Sequence, residues 1–483
     1  MSPTTQEPWE IKVAHKQAQV KAAIPSEWLL PSTLTPSSNV LGVPHESGIL
    51  SNKELEITES YTAKQLLESL AAGTLTSAEV TAAFSKRAAI AQQLTSCVTE
   101  PLFEQAKERA KFLDDYLAKE KKVFGPLHGL PVSLKDGFKV KGVQSTIGYV
   151  SFLDHEPDTT NSVLVNMLLD LGAVLHVKTN IPQTLMTADS HNNIFGRTLN
   201  PYNTQLTAGG SSGGEGALIA LRGSILGVGT DIAGSIRIPS LCCGTYGFKP
   251  TSGRIPFGGM TSPGLIGTPG LVPCAGPLAT TFSDLKLFVS TILKAKPWLL
   301  DSTAHAVPWR STHELSGKTT LTIGVLAEDP IFPYHPPVRR TLNNAIAALQ
   351  AAAPLGSNNQ SRGGQSNRHG DLQDRSGKDV HQPHHLQRRA FVPSVAAAVA
   401  ITSTGPAPKV YGVLDIAAMN RDMHAYREAW REMFRSEKLD VVLGPGAQCT
   451  AVPHDSFGIA PYTVMWNLLD VSIPLEKVVV ADM

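Results

Sequence analysis

From Gly125 onward, short apolar runs alternate with segments of helical periodicity, and this alternation constrains the fold more than any other feature of the sequence. Five of these runs are typical of buried strands: LPVSLKD, AVLHVKTN, SILGVGTD, LTIGVLAED and LDVVLGPG. Strands that alternate with helices usually form a sheet covered by helices, because each apolar face must be buried. The pattern therefore predicts an α/β fold with a mixed, mostly parallel, twisted β-sheet at its core and α-helices over it.

The N-terminal part of the chain predicts helices rather than strands. Thr62 and Thr76 each precede a Gln or Glu by three residues, which is the spacing of a capping box at the start of a helix. Residues 1–60 are polar and rich in Pro and Ser, with one short amphipathic stretch. We expect them to form an N-terminal helical arm, and we expect residues 61–483 to form the main domain, which would carry any catalytic function.

Composition excludes several classes of protein. The chain has 42 Lys and Arg against 41 Asp and Glu, so it lacks the basic excess by which proteins bind nucleic acid. Its 5 cysteines include no CxxC pair, which argues against a disulfide framework or a structural zinc site. There is no apolar core of a signal peptide and no run of about 18 apolar residues, so we expect a cytoplasmic protein without a membrane span.

One segment interrupts the apolar pattern. Between Ser357 and Arg389 the sequence is dominated by Gln, Arg, Ser, Gly and His, and it contains no aromatic residue. Such a segment buries too little apolar surface to offset its ordering entropy, so we expect residues 357–389 to be disordered or an aberrant insert. Its histidines are better explained by a solvated polar tract than by a metal site.

The stretch from Ala208 to Thr251 is the most informative for function, because serines lie among glycines in two clusters. In AGGSSGG, glycines flank Ser211 and Ser212, and glycine permits close approaches that a Cβ would block. In GTDIAGS, Ser235 lies on a turn that leaves the predicted strand SILGV, and successive N–H groups in such a turn can bind an anion.

Three interpretations of these clusters stay open from the residues alone. A nucleotide site is disfavoured because both the Lys-Ser/Thr ending of a P-loop and the GxGxxG spacing are absent. GGSSG around Ser211 matches the nucleophile elbow of α/β-hydrolases, but that elbow follows a strand and NPYNTQLTA is typical of a loop. A purely structural role for the glycines leaves the two serine-centred clusters unexplained.

Together with two other stretches, this segment resembles the amidase signature family, serine hydrolases that cleave carboxylic amides. The resemblance runs from about Ile57 to Asp470 and is densest in GPLHGLPVSLKDGF, TNIPQTLMTADSHNNIFGRTLNPYN and residues 208–251. Within the family, the fungal acetamidases and general amidases are most similar. The resemblance implies an α/β/α amidase signature fold that uses neither metal nor cofactor. Its small-molecule amide substrate would give a carboxylic acid and ammonia or an amine.

The resemblance also implies a Ser-cisSer-Lys triad. The family's base falls on Lys135, its bridging serine, in a cis peptide, on Ser211, and the nucleophile that forms the acyl-enzyme on Ser235. A lysine can accept a proton only when it is neutral, so burial would have to lower its pKa toward about 7 to 8. Alternation along LPVSLKD places Lys135 and Asp136 on opposite faces of the strand, which separates the two charges.

Further residues are assigned to substrate binding by the same resemblance. The backbone N–H groups of the family's oxyanion hole fall on Ile232, Ala233, Gly234 and Ser235. The residues that would line the substrate pocket are Leu185, Met186 and Thr187. Asp231 and Arg237 flank Ser235, and we expect them to brace its turn by hydrogen bonds and an ion pair.

Two alternatives to an active amidase stay open. One is an α/β-hydrolase that uses Ser211 as its nucleophile. The other is a catalytically impaired, truncated family member, because residues 357–389 and the short sequence after Asp470 depart from the family and are typical of an altered reading frame. The expected partner is the amide substrate and not nucleic acid, and homodimer formation is left open.

Overall fold

The computed structural model describes residues 8–34, 36–263, 270–310, 321–352 and 412–475, so the polar tract at 357–389 lies outside the described residues. The strands are β1 (Val98–Pro101), β2 (Pro131–Lys135), β3 (Val174–Thr179), β4 (His191–Asn192), β5 (Gly196–Arg197), β6 (Leu226–Asp231), β7 (Tyr246–Lys249), β8 (Cys274–Ala279), β9 (Ile323–Val325), β10 (Val441–Leu443) and β11 (Ile473–Leu475).

The α-helices of the described ranges are α1 (Trp9–Ala22), α2 (Val43–Glu46), α3 (Asn52–Glu59), α4 (Ala63–Ala72), α5 (Ser77–Thr95), α6 (Phe103–Glu120), α7 (Val163–Asp170), α8 (Gly213–Ala220), α9 (Arg237–Cys242), α10 (Phe282–Lys294), α11 (Pro336–Ala352), α12 (Val413–Ser436) and α13 (Pro461–Leu469). None of them combines the length and the apolar character needed to cross a bilayer.

The central sheet contains 7 strands in the order β1-β3-β2-β6-β8-β7-β11. β2 pairs in parallel with β3 and β6, whereas the pairings farther from the centre are antiparallel. β7 runs in the same direction as β2, β3 and β6, because two successive antiparallel pairings relate it to β6. The predicted α/β fold with a mixed, mostly parallel sheet is therefore confirmed.

All five predicted strands are present, but two of them lie outside the central sheet. β2 and β3 are buried along their whole length and β6 is almost so. β9 and β10 instead pair with each other in a separate parallel sheet of 2 strands, and their residues are partly exposed. The expectation that these two runs are buried strands is wrong, because an apolar run of this length does not specify which sheet it joins.

The two faces of the central sheet are covered by different helices, and β2 shows how its side chains divide between them. Val132 and Leu134 belong to an apolar cluster with residues of α4, α7 and α10. Ser133 and Lys135 alternate with them, and their hydroxyl and amino groups contact residues of the segment that leads into α8 and of α8 itself. The polar side chains of β2 thus lie on the α8 face of the sheet.

The N-terminal segment packs on the rest of the chain through α1. Lys12 and Lys16 of α1 form ion pairs with Asp154 and Glu100, and Gln17 donates a hydrogen bond to the Ile194 carbonyl at 2.7 Å. These contacts join α1 to segments more than 80 residues away in the sequence. We keep the division into an arm at residues 1–60 and a main domain at 61–483 as a proposal.

Both predicted capping boxes are present in the structure. The Thr62 hydroxyl accepts from the Gln65 N–H while the Gln65 side chain accepts from the Thr62 N–H, and Thr76 and Glu79 form the same reciprocal pair. Gly73 ends α4 with a φ of 69°, in the left-handed region where glycine is favoured. Local sequence therefore specifies where α4 and α5 begin and where α4 ends.

Substitution of the Thr76 cap tests this conclusion. Thr76→Ala removes the oxygen that accepts from the Glu79 N–H, and we expect it to lower the free energy of unfolding by about 1 kcal/mol. Urea unfolding, monitored by tryptophan fluorescence, measures the change. Thr160→Ala, an exposed loop threonine, is the matched control and should leave the unfolding midpoint unchanged. Equal midpoints for the two variants would contradict the capping role.

Candidate active site

Lys135 is the last residue of β2, and the fold places its amino group among hydroxyls. Only 1% of the residue is exposed. Its Nζ donates to Ser211 Oγ at 2.7 Å and to Thr230 Oγ1 at 2.9 Å. Ser211 lies just before α8, and Thr230 is near the end of β6, the strand beside β2. The structure therefore brings together two of the three residues that the resemblance assigns to a triad.

Burial is the main influence on the protonation of Lys135. Removal of the ammonium from water lowers the pKa of Lys135 to about 7, although Asp231 and Glu215 act in the opposite direction. The neighbouring Asp136 does not contribute to this shift, because it points to the other side of the sheet. There it accepts hydrogen bonds from Thr99 and the Ile147 N–H, so the predicted separation of Lys135 and Asp136 is confirmed.

Ser211 is held by a backbone that only glycine permits next to it. The Gly210–Ser211 peptide is cis, and a Cβ on Gly210 would collide with the Thr187 carbonyl oxygen. The next residue, Ser212, donates its N–H to the Ser235 carbonyl at 3.1 Å. The segments that carry Ser211 and Ser235 therefore lie side by side, with Lys135 hydrogen-bonded to the first of them.

Ser235 lies on the turn between β6 and α9, and an ion pair shapes that turn. Arg237 Nη2 and Nε donate to the two carboxylate oxygens of Asp231 at 2.9 and 3.0 Å. The same carboxylate accepts from the N–H groups of Gly234 at 2.8 Å and Ile236 at 3.1 Å. These contacts hold the pKa of Asp231 well below its usual range, so the carboxylate stays charged. The predicted bracing role of Asp231 and Arg237 is confirmed.

Residues of helix α13 form hydrogen bonds with both members of this ion pair. Asn467 donates to Asp231 Oδ1 at 3.1 Å and accepts from Arg237 Nη2 at 2.5 Å. Thr463 accepts from Arg237 Nη1 through its carbonyl at 2.9 Å, and its hydroxyl donates to the Ala233 carbonyl at 2.6 Å. The turn that carries Ser235 thus depends on residues more than 220 positions later in the sequence.

The backbone donors of the proposed oxyanion hole are not equivalent. Gly234, with a φ of 127°, donates its N–H to Asp231, so that donor is already engaged within the turn. The expectation that Gly234 contributes a donor therefore does not fit this geometry. Among the described residues, no acceptor is found for the N–H groups of Ile232, Ala233 and Ser235. Alanine at 233 retains its N–H, so it can serve as well as glycine there.

The predicted pocket residues lie on the loop after β3. Leu185 and Thr187 are half-buried, whereas 48% of Met186 is exposed. The Thr187 carbonyl packs against Gly210, next to Ser211, so this part of the loop borders the serine cluster. Their role in binding a substrate stays a proposal.

The other candidate nucleophiles and bases nearby are buried or paired in ways that suit a structural role. Cys242 and Cys243 are buried, and burial raises the pKa of both thiols, so they stay protonated. His191 Nδ1 lies 3.0 Å from Arg197 Nη2, and burial lowers the pKa of His191. Within the described ranges, no group of three or more His, Cys, Asp or Glu side chains is placed to hold a metal ion.

Sequence reasoning missed two polar neighbours of Lys135. Thr230 supplies a second hydroxyl to Nζ, and only the pairing of β6 with β2 shows that it does so. Glu215 is fully buried on the same face of the sheet. A signal for Glu215 did exist, because GGEGALIA is otherwise made of Gly, Ala, Leu and Ile, and a helix apolar all round is buried on every side.

Comparison with known proteins gives concordant results. The sequence model of the family described as Amidase matches residues 79–354. The chain is 43% identical over 471 residues to a protein named Amidase from Gibberella moniliformis, covering 96% of this chain and 88% of that protein. It is 39% identical over 495 residues to an Acetamidase from Emericella nidulans, covering 98% and 87%. The solved structure of a Fatty acid amide hydrolase superposes with a TM-score of 0.81 at 30% identity, covering 97% of this chain and 83% of that one.

The Asp231–Arg237 pair yields a prediction about stability. Arg237→Met leaves the Asp231 carboxylate buried without its guanidinium, and we expect the free energy of unfolding to fall by about 3–5 kcal/mol. Chemical denaturation measures the loss. Lys111→Met breaks an exposed i,i+4 ion pair with Asp115 and should change stability little. A loss for Arg237→Met no larger than that of this control would show that the pair does not stabilise the turn.

Proposed function

The chain belongs to the amidase family, and on that premise we propose that it hydrolyses carboxylic amides through Lys135, Ser211 and Ser235. The observation that carries the proposal is the 2.7 Å hydrogen bond from Lys135 Nζ to Ser211 Oγ, in a site where burial lowers the pKa of the lysine to about 7. The substrate we propose is a small or moderately sized amide, in keeping with the relatives named acetamidases.

In the proposed mechanism, neutral Lys135 accepts a proton from Ser211 while Ser211 accepts one from Ser235. The Ser235 oxygen then attacks the amide carbonyl, and the tetrahedral intermediate expels the nitrogen after protonation by the same relay. This gives an acyl-enzyme on Ser235 and releases ammonia or an amine. Water then attacks the ester and gives its proton through Ser211 to Lys135. The second tetrahedral intermediate expels the Ser235 oxygen, which takes this proton back through Ser211, and the carboxylic acid leaves.

The developing oxyanion needs donors that are in place before the reaction. We propose the N–H groups of Ile232, Ala233 and Ser235 for this role, since the Gly234 N–H is bound to Asp231. Each free donor of this kind contributes to the rate because it meets a charge that is absent from the substrate. The Asp231–Arg237 pair supports the donors by holding the turn.

The alternative with Ser211 as the nucleophile is disfavoured by local structure. An α/β-hydrolase elbow follows a strand directly, whereas here residues 198–210 form only isolated bridges, Leu199 with Thr207 and Leu206 with Pro453. The Ser211 oxygen is also 2.7 Å from the Lys135 amine, which suits a relay group. The alternative of an impaired family member is decided by assay of the full chain on a panel of amides.

Labelling with a fluorophosphonate tests the choice of nucleophile. We expect modification of Ser235 in the unaltered chain, none in Ser235→Ala, and a loss of kcat on the order of 10³-fold or more in each of the Lys135→Ala and Ser211→Ala variants. Peptide mapping by mass spectrometry locates the label. Ser240→Ala is a control on a buried serine whose hydroxyl donates to the Ile236 carbonyl, and it should keep the label. Label on Ser211 would overturn the assignment.

The protonation of Lys135 predicts a pH dependence. Only the neutral amine can accept a proton, so kcat/KM should rise with pH, with a midpoint near the Lys135 pKa of about 7, and should reach a plateau in alkaline solution. Initial rates with one amide substrate between about pH 5 and 9 measure the profile. A profile that falls as pH rises through 7, or that is flat, would contradict a lysine base.

A further inference from the structure

Glu215 is a buried carboxyl group that the proposed mechanism does not use. It is the third residue of α8, four positions after Ser211, and its side chain is fully buried. Its Oε2 accepts from Ser133 Oγ at 2.6 Å, and its Oε1 accepts from Thr179 Oγ1 at 2.9 Å. These two hydroxyls flank the base, because Ser133 precedes Lys135 by two residues in β2 and Thr179 is the register partner of Lys135 in β3.

The sheet makes room for this carboxyl at one position. Gly227 of β6 is the register partner of Ser133, and a Cβ there would collide with Glu215 Oε2. The carboxyl therefore rests directly on the sheet, on the face to which Lys135 points. Glycine at 227 is explained by this close approach, since a strand interior otherwise favours a residue with a side chain.

The charge of Glu215 has no strong partner. Within the described part of the chain, its hydrogen bonds come from two neutral hydroxyls, and no Arg or Lys side chain forms an ion pair with it. Burial raises the pKa of Glu215 above its usual range, while the two hydroxyls and the nearby Lys135 ammonium act in the opposite direction. Hydroxyls can donate to the carboxylate or accept from the protonated carboxyl, so both states can be hydrogen-bonded.

Among the described charged groups around Lys135, Glu215 is the one whose charge state is not fixed by its partners. Asp231 faces Lys135 from β6 and raises its pKa, but the bidentate pair with Arg237 of α9 keeps Asp231 charged, so this influence does not vary near neutral pH. Cys97 faces Glu215, and burial raises the pKa of its thiol to about 12, so it is uncharged. Asp136 lies on the opposite side of the sheet, with Lys178 3.7 Å away. A change in the charge of Glu215 is therefore expected to change the pKa of Lys135.

We propose that Glu215 is a positioning residue for Lys135: its carboxylate, held by Ser133 and Thr179 beside the base, stabilises the ammonium form and so sets the pH above which the base can act. The proposal rests on the proposed function, because it concerns the same lysine. A carboxylate near an ammonium favours the charged form, so loss of the carboxylate must move deprotonation of Lys135 to lower pH.

The test is the pH profile of kcat/KM for Glu215→Gln, which keeps the shape of the side chain and removes its charge. We expect the ascending limb to move to lower pH by about half a unit or more, which is about threefold higher activity on that limb relative to the plateau. Glu100→Gln is the matched control, a largely buried glutamate paired with Lys16 of α1, and its limb should stay in place. A limb in Glu215→Gln that coincides with that of the unaltered chain would overturn the proposal.

Ser133→Ala provides a second, independent measurement if Glu215→Gln does not fold. Loss of the hydroxyl removes one hydrogen bond to the carboxylate, which makes the charged form of Glu215 less stable, so the limb should move in the same direction by a smaller amount. Where Glu215→Gln does fold, the same change in that background should produce no further shift. An absent or opposite shift in Ser133→Ala would contradict the proposal.

The two levels of inference fail in distinguishable ways. If the unaltered chain shows no ascending limb, or the label is not on Ser235, the proposed function fails. If the unaltered chain shows the limb and the Ser235 label, but Glu215→Gln and Ser133→Ala leave the limb in place, only the role of Glu215 fails.

Discussion

The chemistry proposed for this site depends on the desolvation of Lys135. An ammonium ion at this position gives up its hydration for hydrogen bonds from Nζ to the hydroxyls of Ser211 and Thr230, which do not fully replace water. The same burial that makes the ammonium unfavourable makes the neutral amine available near neutral pH. For this to happen the end of β2 must be covered completely, and the covering is provided by the serine cluster and α8.

Three carboxylates near the end of β2 are stabilised in three different ways. Asp231 forms a bidentate ion pair with Arg237, so it stays charged while it holds the Ser235 turn. Asp136 is on the far side of the sheet, where it accepts from Thr99 and the Ile147 N–H. Among the described residues, the hydrogen-bond donors to Glu215 are two hydroxyls, so its charge is the least stabilised of the three. The site thus separates a carboxylate that shapes the backbone from one that can tune a base.

The glycines of this region serve close packing rather than flexibility. Gly210 lies against the Thr187 carbonyl, Gly214 against the backbone of Asn180, and Gly227 against the Glu215 carboxyl. Each contact brings a polar group closer than a side chain would allow. Close packing also excludes water, which strengthens the electrostatic interactions inside the site.

What the sequence by itself determined are the features that depend on neighbours a few residues apart. The capping boxes specified where α4 and α5 begin, and alternation along β2 specified that Lys135 and Asp136 diverge. The triad positions came from the resemblance to a family, since no local rule links Lys135 to a serine 76 residues away. Tertiary structure alone decided the rest. β9 and β10 pair outside the central sheet, Asp231 accepts a hydrogen bond from the Gly234 N–H, and α13 forms hydrogen bonds with the ion pair. The physical reason is range, because periodicity and capping act within a few residues, whereas burial, and with it the pKa of Lys135, is set by segments that only folding brings together.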